Sequence, residues 1–203
     1  MFQPEKFEDR LLGTAGFSDK LLTTHFGLYE GYVKNSNLLL ETLATLVKEK
    51  KAEGPQFNEL KRRLGWEFNG MRLHELYFWN MNKEKFERDA APELMKQIET
   101  DFGSYEDWFT DFMATGTMRG IGWVILYFDP ISKRLINVWV EEHAMNHLAG
   151  CQPILVLDVF EHAYMPDYGT SRADYMKSFF SAIDWKIVNA RYTSTQQFLD
   201  LLK

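Results

Sequence analysis

One cysteine, Cys151, stands in 203 residues, so an internal disulfide framework is excluded. That scarcity fits a reducing compartment. Long apolar runs are missing as well. The longest, residues 121–128, falls far below the ~20 residues of a membrane helix, so no membrane partner is expected. Basic runs are also absent. Lys and Arg number 23 against 29 Asp and Glu, for a net charge of -6, which argues against a nucleic-acid partner. The opening MFQPEKFEDR has neither a basic start nor an apolar h-region, so no secretory leader is expected and the chain reads as cytoplasmic. No internal repeat or low-complexity tract stands out. Hydrophobic residues are plentiful, at 45% of the chain with 15% aromatic, enough for a sizeable core and incompatible with disorder.

In the first half, Leu22, His25, Tyr29, Tyr32, Ser36, Leu39, Leu43 and Leu46 recur at gaps of three and four, which places them on one helix face. Ser18 and Asp19 are the candidate caps upstream. The pattern fades before Gly54 and Pro55 and restarts with Phe57, Leu60, Leu64, Glu67, Met71, His74 and Phe78. Two stripes joined by a short turn predict two antiparallel helices packed stripe to stripe. Glu67 is expected near the open edge of that hairpin.

The second half reads as mixed. Ala91-Pro92-Glu93 opens a helix, and Ser104 with Asp107 forms a capping box before Trp108. Residues 123–128, 135–140 and 154–159 read as strands, the first two joined by a turn at Asp129-Pro130. From Arg172 onward the chain is helical again. The expected fold is α+β, an N-terminal antiparallel two-helix hairpin followed by a three-stranded antiparallel sheet flanked by helices. The expected domains are 1–86 and 87–203.

The chemistry concentrates in Asp158-Val-Phe-Glu161-His162-Ala-Tyr164, which follows the third strand. A carboxylate and an imidazole four residues apart across a strand exit converge readily on one ion. A histidine on a helix stripe is ordinarily a satisfied core residue, but His25 and His74 lie on facing stripes. Together the four offer three imidazoles and one carboxylate, a set suited to iron, manganese or zinc rather than calcium or copper(I).

Asp158 to Tyr164 resembles the D-V-W-E-H-A-Y signature of the iron/manganese superoxide dismutase family except at Phe160, and Gly120-Ile-Gly-Trp123 resembles its G-S-G-W. Arg172, Tyr175 and Trp185 fall where that family carries an Arg, a Tyr and an Asn-Trp pair. The resemblance implies one iron or manganese ion per subunit, with iron slightly preferred, on His25, His74, Asp158 and His162. It implies superoxide anion as the substrate, converted to oxygen and hydrogen peroxide. Tyr32 would line the entrance and Trp123 the apolar wall. Glu161 would reach a partner subunit's metal ligand in a homodimer, possible also as a tetramer, with Tyr164 at the same interface. Arg172 would add positive potential for an incoming anion.

The chain departs from the family pattern in places. His25 and Tyr32 are seven apart where the family has eight, and the entrance histidine is replaced by Tyr29 or Leu28. The glutamine position beside the bound solvent is His143, paired with Gly70 at the alternative site. The resemblance then gives His143 the hydrogen bond to that solvent, against the reading of a surface histidine. His147 is taken as structural. Three other functions stay open: a catalytically impaired metal-binding relative, an oxygenase using two histidines and a carboxylate, and a hydrolase, which lacks any nucleophile-elbow motif.

Overall fold

The structure is a computed structural model that describes residues 1–200, with side chains through residue 196; residues 201–203 of the expected C-terminal domain lie outside the described residues. Its elements are α1 Glu8–Leu11, α2 Asp19–Lys48, α3 Pro55–Trp79, α4 Pro92–Phe102, α5 Tyr105–Gly116, β1 Gly122–Asp129, β2 Arg134–Glu141, β3 Gln152–Asp158, α6 Met165–Tyr168, α7 Arg172–Ser181 and α8 Trp185–Asp200. This is the expected α+β class.

Helix α2 begins where Ser18 Oγ accepts a hydrogen bond from the Leu21 amide at 3.0 Å, satisfying one of the free first-turn donors. Seven of the eight predicted stripe residues on α2 are buried, and Tyr32 is half-buried. The helix runs antiparallel to α3, as the pairings Tyr29–Glu75 and Asn35–Glu67 show. Glu67 corrects the sequence expectation. It is buried at 3% exposure, tolerated there because Arg63 pairs with it at 2.7 Å and Asn35 donates to it.

The sheet order is β2-β1-β3, all antiparallel. The central β1 is buried on both faces, so it reads as a continuous apolar run rather than an alternating one. Ser104 caps α5 as expected, accepting from the Asp107 amide at 3.0 Å.

The hairpin and the sheet meet at the C-terminal end of β3. Asn80, just past α3, donates to Val156 O at 2.7 Å. Asp167 accepts from Ser18 N and Oγ, both at 2.7 Å, tying α6 to the start of α2. The C-terminal helical stretch is two helices, broken at residues 182–184, where Asp184 N donates to Asn80 O at 2.7 Å. The short α1 carries no sequence pattern of its own and is held through Arg10, which pairs with Asp184 at 2.6 Å. Among the described residues no helix is long and apolar enough to cross a membrane.

Candidate metal centre

Four elements each deliver one donor to a common point. His25 comes from α2, His74 from α3, Asp158 from the last position of β3, and His162 from the 3-10 turn Glu161–Ala163. Asp158 Oδ2 stands 3.2 Å from His25 Nε2, 3.6 Å from His74 Nε2 and 3.2 Å from His162 Nε2. All four donor atoms lie within 4.8 Å of one another.

The rest of Asp158 is committed elsewhere. Its Oδ1 accepts the Phe160 amide at 2.8 Å and its backbone carbonyl accepts the Tyr175 hydroxyl at 2.7 Å, so Oδ2 alone faces the histidines. His74 donates from Nδ1 to Gly70 O, leaving an Nε2 lone pair that is buried and without a partner. A carbonyl behind the ring is the usual device for orienting a metal-binding imidazole. An orphaned buried acceptor beside a carboxylate and two further ring nitrogens fits the binding of a cation. The three spacings from Asp158 Oδ2 fit too. Donors about 2.1 Å from one ion stand about 3.0 Å apart at a right angle and about 3.6 Å at a trigonal angle.

Electrostatics agree with this picture. Burial pushes the His25 and His74 rings to lower pKa, so both are neutral lone-pair donors. Burial alone would raise Asp158, but His162 and His25 outweigh it and hold the carboxyl well below its usual range. His162 is held above its ordinary value because Asp158 outweighs burial. A cation bound there would have to compete with protons for the His162 ring.

Around the cluster stands an aromatic wall. Trp123 is fully buried with its ring centroid 5.0 Å from His74. Tyr32 stacks on His74 at 5.1 Å. His143 is also fully buried, so it is no surface residue. Its Nδ1 accepts from the Trp123 indole at 3.0 Å and its Nε2 lies 2.8 Å from the Tyr32 oxygen. An indole only donates, so the neutral ring carries its hydrogen on Nε2 and gives it to Tyr32. The Tyr32 hydroxyl hydrogen is then free to point elsewhere. Burial pushes His143 down to about 4, consistent with a neutral ring.

Gly70 is what lets Tyr32 sit there. A Cβ at this position would meet Tyr32 Cδ1 at 2.6 Å and Cε1 at 2.7 Å. Gly70→Ala is expected to keep the ion but push Tyr32 off His74, lowering turnover by on the order of 10- to 100-fold; metal content measured beside rate checks it.

The remaining sequence candidates are placed as follows. Tyr29 is fully buried one turn along α2 from His25, where it donates to Glu75 and accepts from Glu5 N, so it does not replace the entrance histidine. Glu161 is exposed, beside His162, whose side chain is 25% exposed. Tyr164 is buried and accepts from Arg172 at 3.3 Å. Arg172 is committed to the carbonyls of Gly116, Met118 and Gly120, so it braces the loop before β1 rather than standing free to attract an anion. Sequence reasoning missed Trp66, whose ring lies 4.5 Å from His143 and 5.6 Å from Tyr32. Its place two turns before His74 on α3 was the available signal.

A pH dependence follows for the metal-free chain. His25, His74 and His143 all bind protons less readily folded than unfolded, so their contribution is fully present above the unfolded value near 6.5. It is lost as pH falls from there, for His143 down to about 4. His162, raised by Asp158, and Glu75, raised by burial, have the opposite sign, so three groups stand against two. The chelated chain should melt lower at pH 5 than at pH 7, with each kcal/mol lost worth roughly 2–4 °C. Calorimetry at the two pH values checks this.

The profile of the iron/manganese superoxide dismutases, C-terminal domain, matches residues 90–191. An iron superoxide dismutase of Cupriavidus metallidurans is 40% identical over 184 residues, covering 88% of this chain and 90% of its own. A manganese superoxide dismutase of Haloferax volcanii is 37% identical, covering 90% of each. An iron superoxide dismutase of Aquifex pyrophilus is 33% identical, covering 93% of this chain and 90% of its own. These relatives span both the helical hairpin that carries His25 and His74 and the sheet that carries Asp158, and on that extent of likeness the chain belongs to the iron/manganese superoxide dismutase family.

Proposed function

We propose that the chain is a superoxide dismutase, converting two superoxide anions and two protons to oxygen and hydrogen peroxide. The observation that carries this is the convergence of three imidazole Nε2 atoms and one carboxylate oxygen on a buried point. His25, His74, Asp158 and His162 would hold a single iron or manganese ion. When bound, that ion supplies one electron at a time by alternating between its +3 and +2 states.

The chain supplies the rest. Three neutral rings and one carboxylate contribute a single negative charge, which tolerates both charge states. Trp123 packs against His74, Phe160 against His162 and Trp66 against His143, so aromatic rings line much of the site. Burial pushes the Tyr32 hydroxyl up to about 12, so it stays protonated at neutral pH and can donate toward an incoming anion. The His143 N–H, given to the Tyr32 oxygen, leaves that donation free. Because His143 has one hydrogen where a glutamine amide has two, a hydrogen bond from it to bound solvent would compete with the bond to Tyr32.

Iron is our reading over manganese, supported by the iron-named relative at 40% identity. We read the chain as a cytoplasmic homodimer of two-domain subunits, 1–86 and 87–203, with assembly to a tetramer open. The exposed Glu161 beside the part-exposed His162 supports a contact with the partner subunit's His162, and the free Cys151 agrees with a reducing compartment.

Product stoichiometry tests the reaction. The iron-loaded chain should yield one peroxide and one oxygen for every two superoxide consumed, with no added reductant. One peroxide per superoxide, sustained only by a reductant, would make it a reductase instead.

A further inference from the structure

We propose that His147 is a positioning residue for His143, gripping its backbone carbonyl so that its ring meets Tyr32 and Trp123 in one orientation. The inference rests on the dismutase reading for its consequence in turnover, though not for its geometry.

His143 lies in the loop between β2 and β3. Glu142 and Asn146, on either side of it, adopt φ of 49° and 69°, a left-handed backbone costly for non-glycine residues. Such a loop holds one shape only when its surroundings over-determine it. The Glu141 and Met145 backbones close its base by two hydrogen bonds, at 3.2 and 3.3 Å. Inside that closure the His143 carbonyl takes two donors from outside the loop's backbone. Asn69 Nδ2 of α3 lies at 2.7 Å and His147 Nε2 at 2.9 Å.

The direction of each bond follows from what each group can do. A carbonyl only accepts, so the 2.9 Å contact puts the His147 hydrogen on Nε2, while Asn69 Nδ2, 3.3 Å from that same nitrogen, gives its hydrogen to the carbonyl at 2.7 Å. In the neutral ring Nδ1 then accepts, and the Tyr127 hydroxyl stands 2.8 Å away to fill it. Trp123 and Tyr127 lie four apart on β1, on one face of the strand. One rigid strand therefore orients both histidines, Trp123 acting on the ring of His143 and Tyr127 acting on its carbonyl through His147. Losing the second arm leaves the ring's bonds intact in kind and the carbonyl held by Asn69 alone, so the loop can shift within its closed base. The ring's contacts, at 3.0 Å to Trp123 and 2.8 Å to Tyr32, cannot survive a shift of an ångström.

The test uses the full-length chain in two forms. Loaded with zinc, which is diamagnetic and takes the same donors, nitrogen NMR reads the two ring nitrogens of His143. Loaded with iron, the chain is assayed for dismutation. His147→Ala should split or broaden the His143 nitrogen signals and lower kcat by on the order of tenfold at unchanged metal content. His147→Gln, which can return an N–H to the carbonyl, should restore both. If His147→Ala does not fold, Tyr127→Phe deletes one oxygen and should move the same signals in the same direction. Unchanged His143 signals in a folded His147→Ala or Tyr127→Phe variant would overturn the proposal, as would a folded His147→Gln that restores neither readout. The NMR signals are read whether or not the wild-type chain turns over, so a failure of the dismutase reading is told apart from a failure of this one.

Discussion

Asp158→Asn is expected to leave a folded chain that no longer retains its ion. The asparagine oxygen can still accept the Phe160 amide, and the backbone carbonyl still takes the Tyr175 hydroxyl, so the strand end keeps its local bonds. What disappears is the single negative charge among four donors. His162 loses the partner that raises its pKa, and no carboxylate remains to offset a divalent or trivalent cation among buried imidazoles. Loss of outer partners alone costs metal affinity about 10- to 100-fold, so loss of the only anionic donor should cost activity more than about 100-fold. Metal analysis of the purified variant should find the site largely empty. Stoichiometric metal with near-wild-type turnover would remove Asp158 from the ligand set.

Gly122→Ala should be the most damaging small change outside the ligands. Gly122 opens β1 at φ +152°, and a Cβ there would lie 2.0 Å from the Val140 carbonyl oxygen and 3.1 Å from the Glu142 amide nitrogen. Both are backbone atoms of the adjoining strand end and cannot swing aside. Relief requires β1 and β2 to part where Trp123 pairs with Val140 on one side and Asp158 on the other. Overpacking and backbone strain together cost roughly 2–6 kcal/mol, a large part of a domain's stability of about 5–15 kcal/mol. A melting temperature lower by on the order of 10 °C, or failure to fold, is expected. A melting temperature matching the wild type would show that the strand ends yield more easily than their geometry implies.

Both changes act where local pattern and tertiary arrangement meet, and sequence was legible on the first side only. The α2 stripe, the Ser104 cap and the three strands are written in spacing and turn chemistry, so they could be read directly. His25 and His74 were legible as polar intruders on apolar stripes. Glu67 is the same kind of intruder, yet its burial depends on Arg63 one turn away and Asn35 on the facing helix, a pairing that spacing does not reveal. The bond from Tyr175 to the Asp158 carbonyl spans 17 residues, and Asn69 reaches His143 across 74. Such contacts depend on how the hairpin sits on the sheet, which no local pattern encodes. Arg172 shows the converse: its charge invited an electrostatic role, while its three carbonyl partners lie more than fifty residues earlier in the chain.

The most direct measurement is superoxide dismutation per bound metal ion, on full-length protein loaded separately with iron and with manganese. Turnover proportional to metal content, saturating at one ion per chain, is expected, and on the proposed iron preference it is faster with iron. Its kcat/KM should approach the diffusional range of about 10⁸ M⁻¹s⁻¹. One ion per chain in both preparations with no turnover in either would contradict it and leave a metal-binding protein without the reaction.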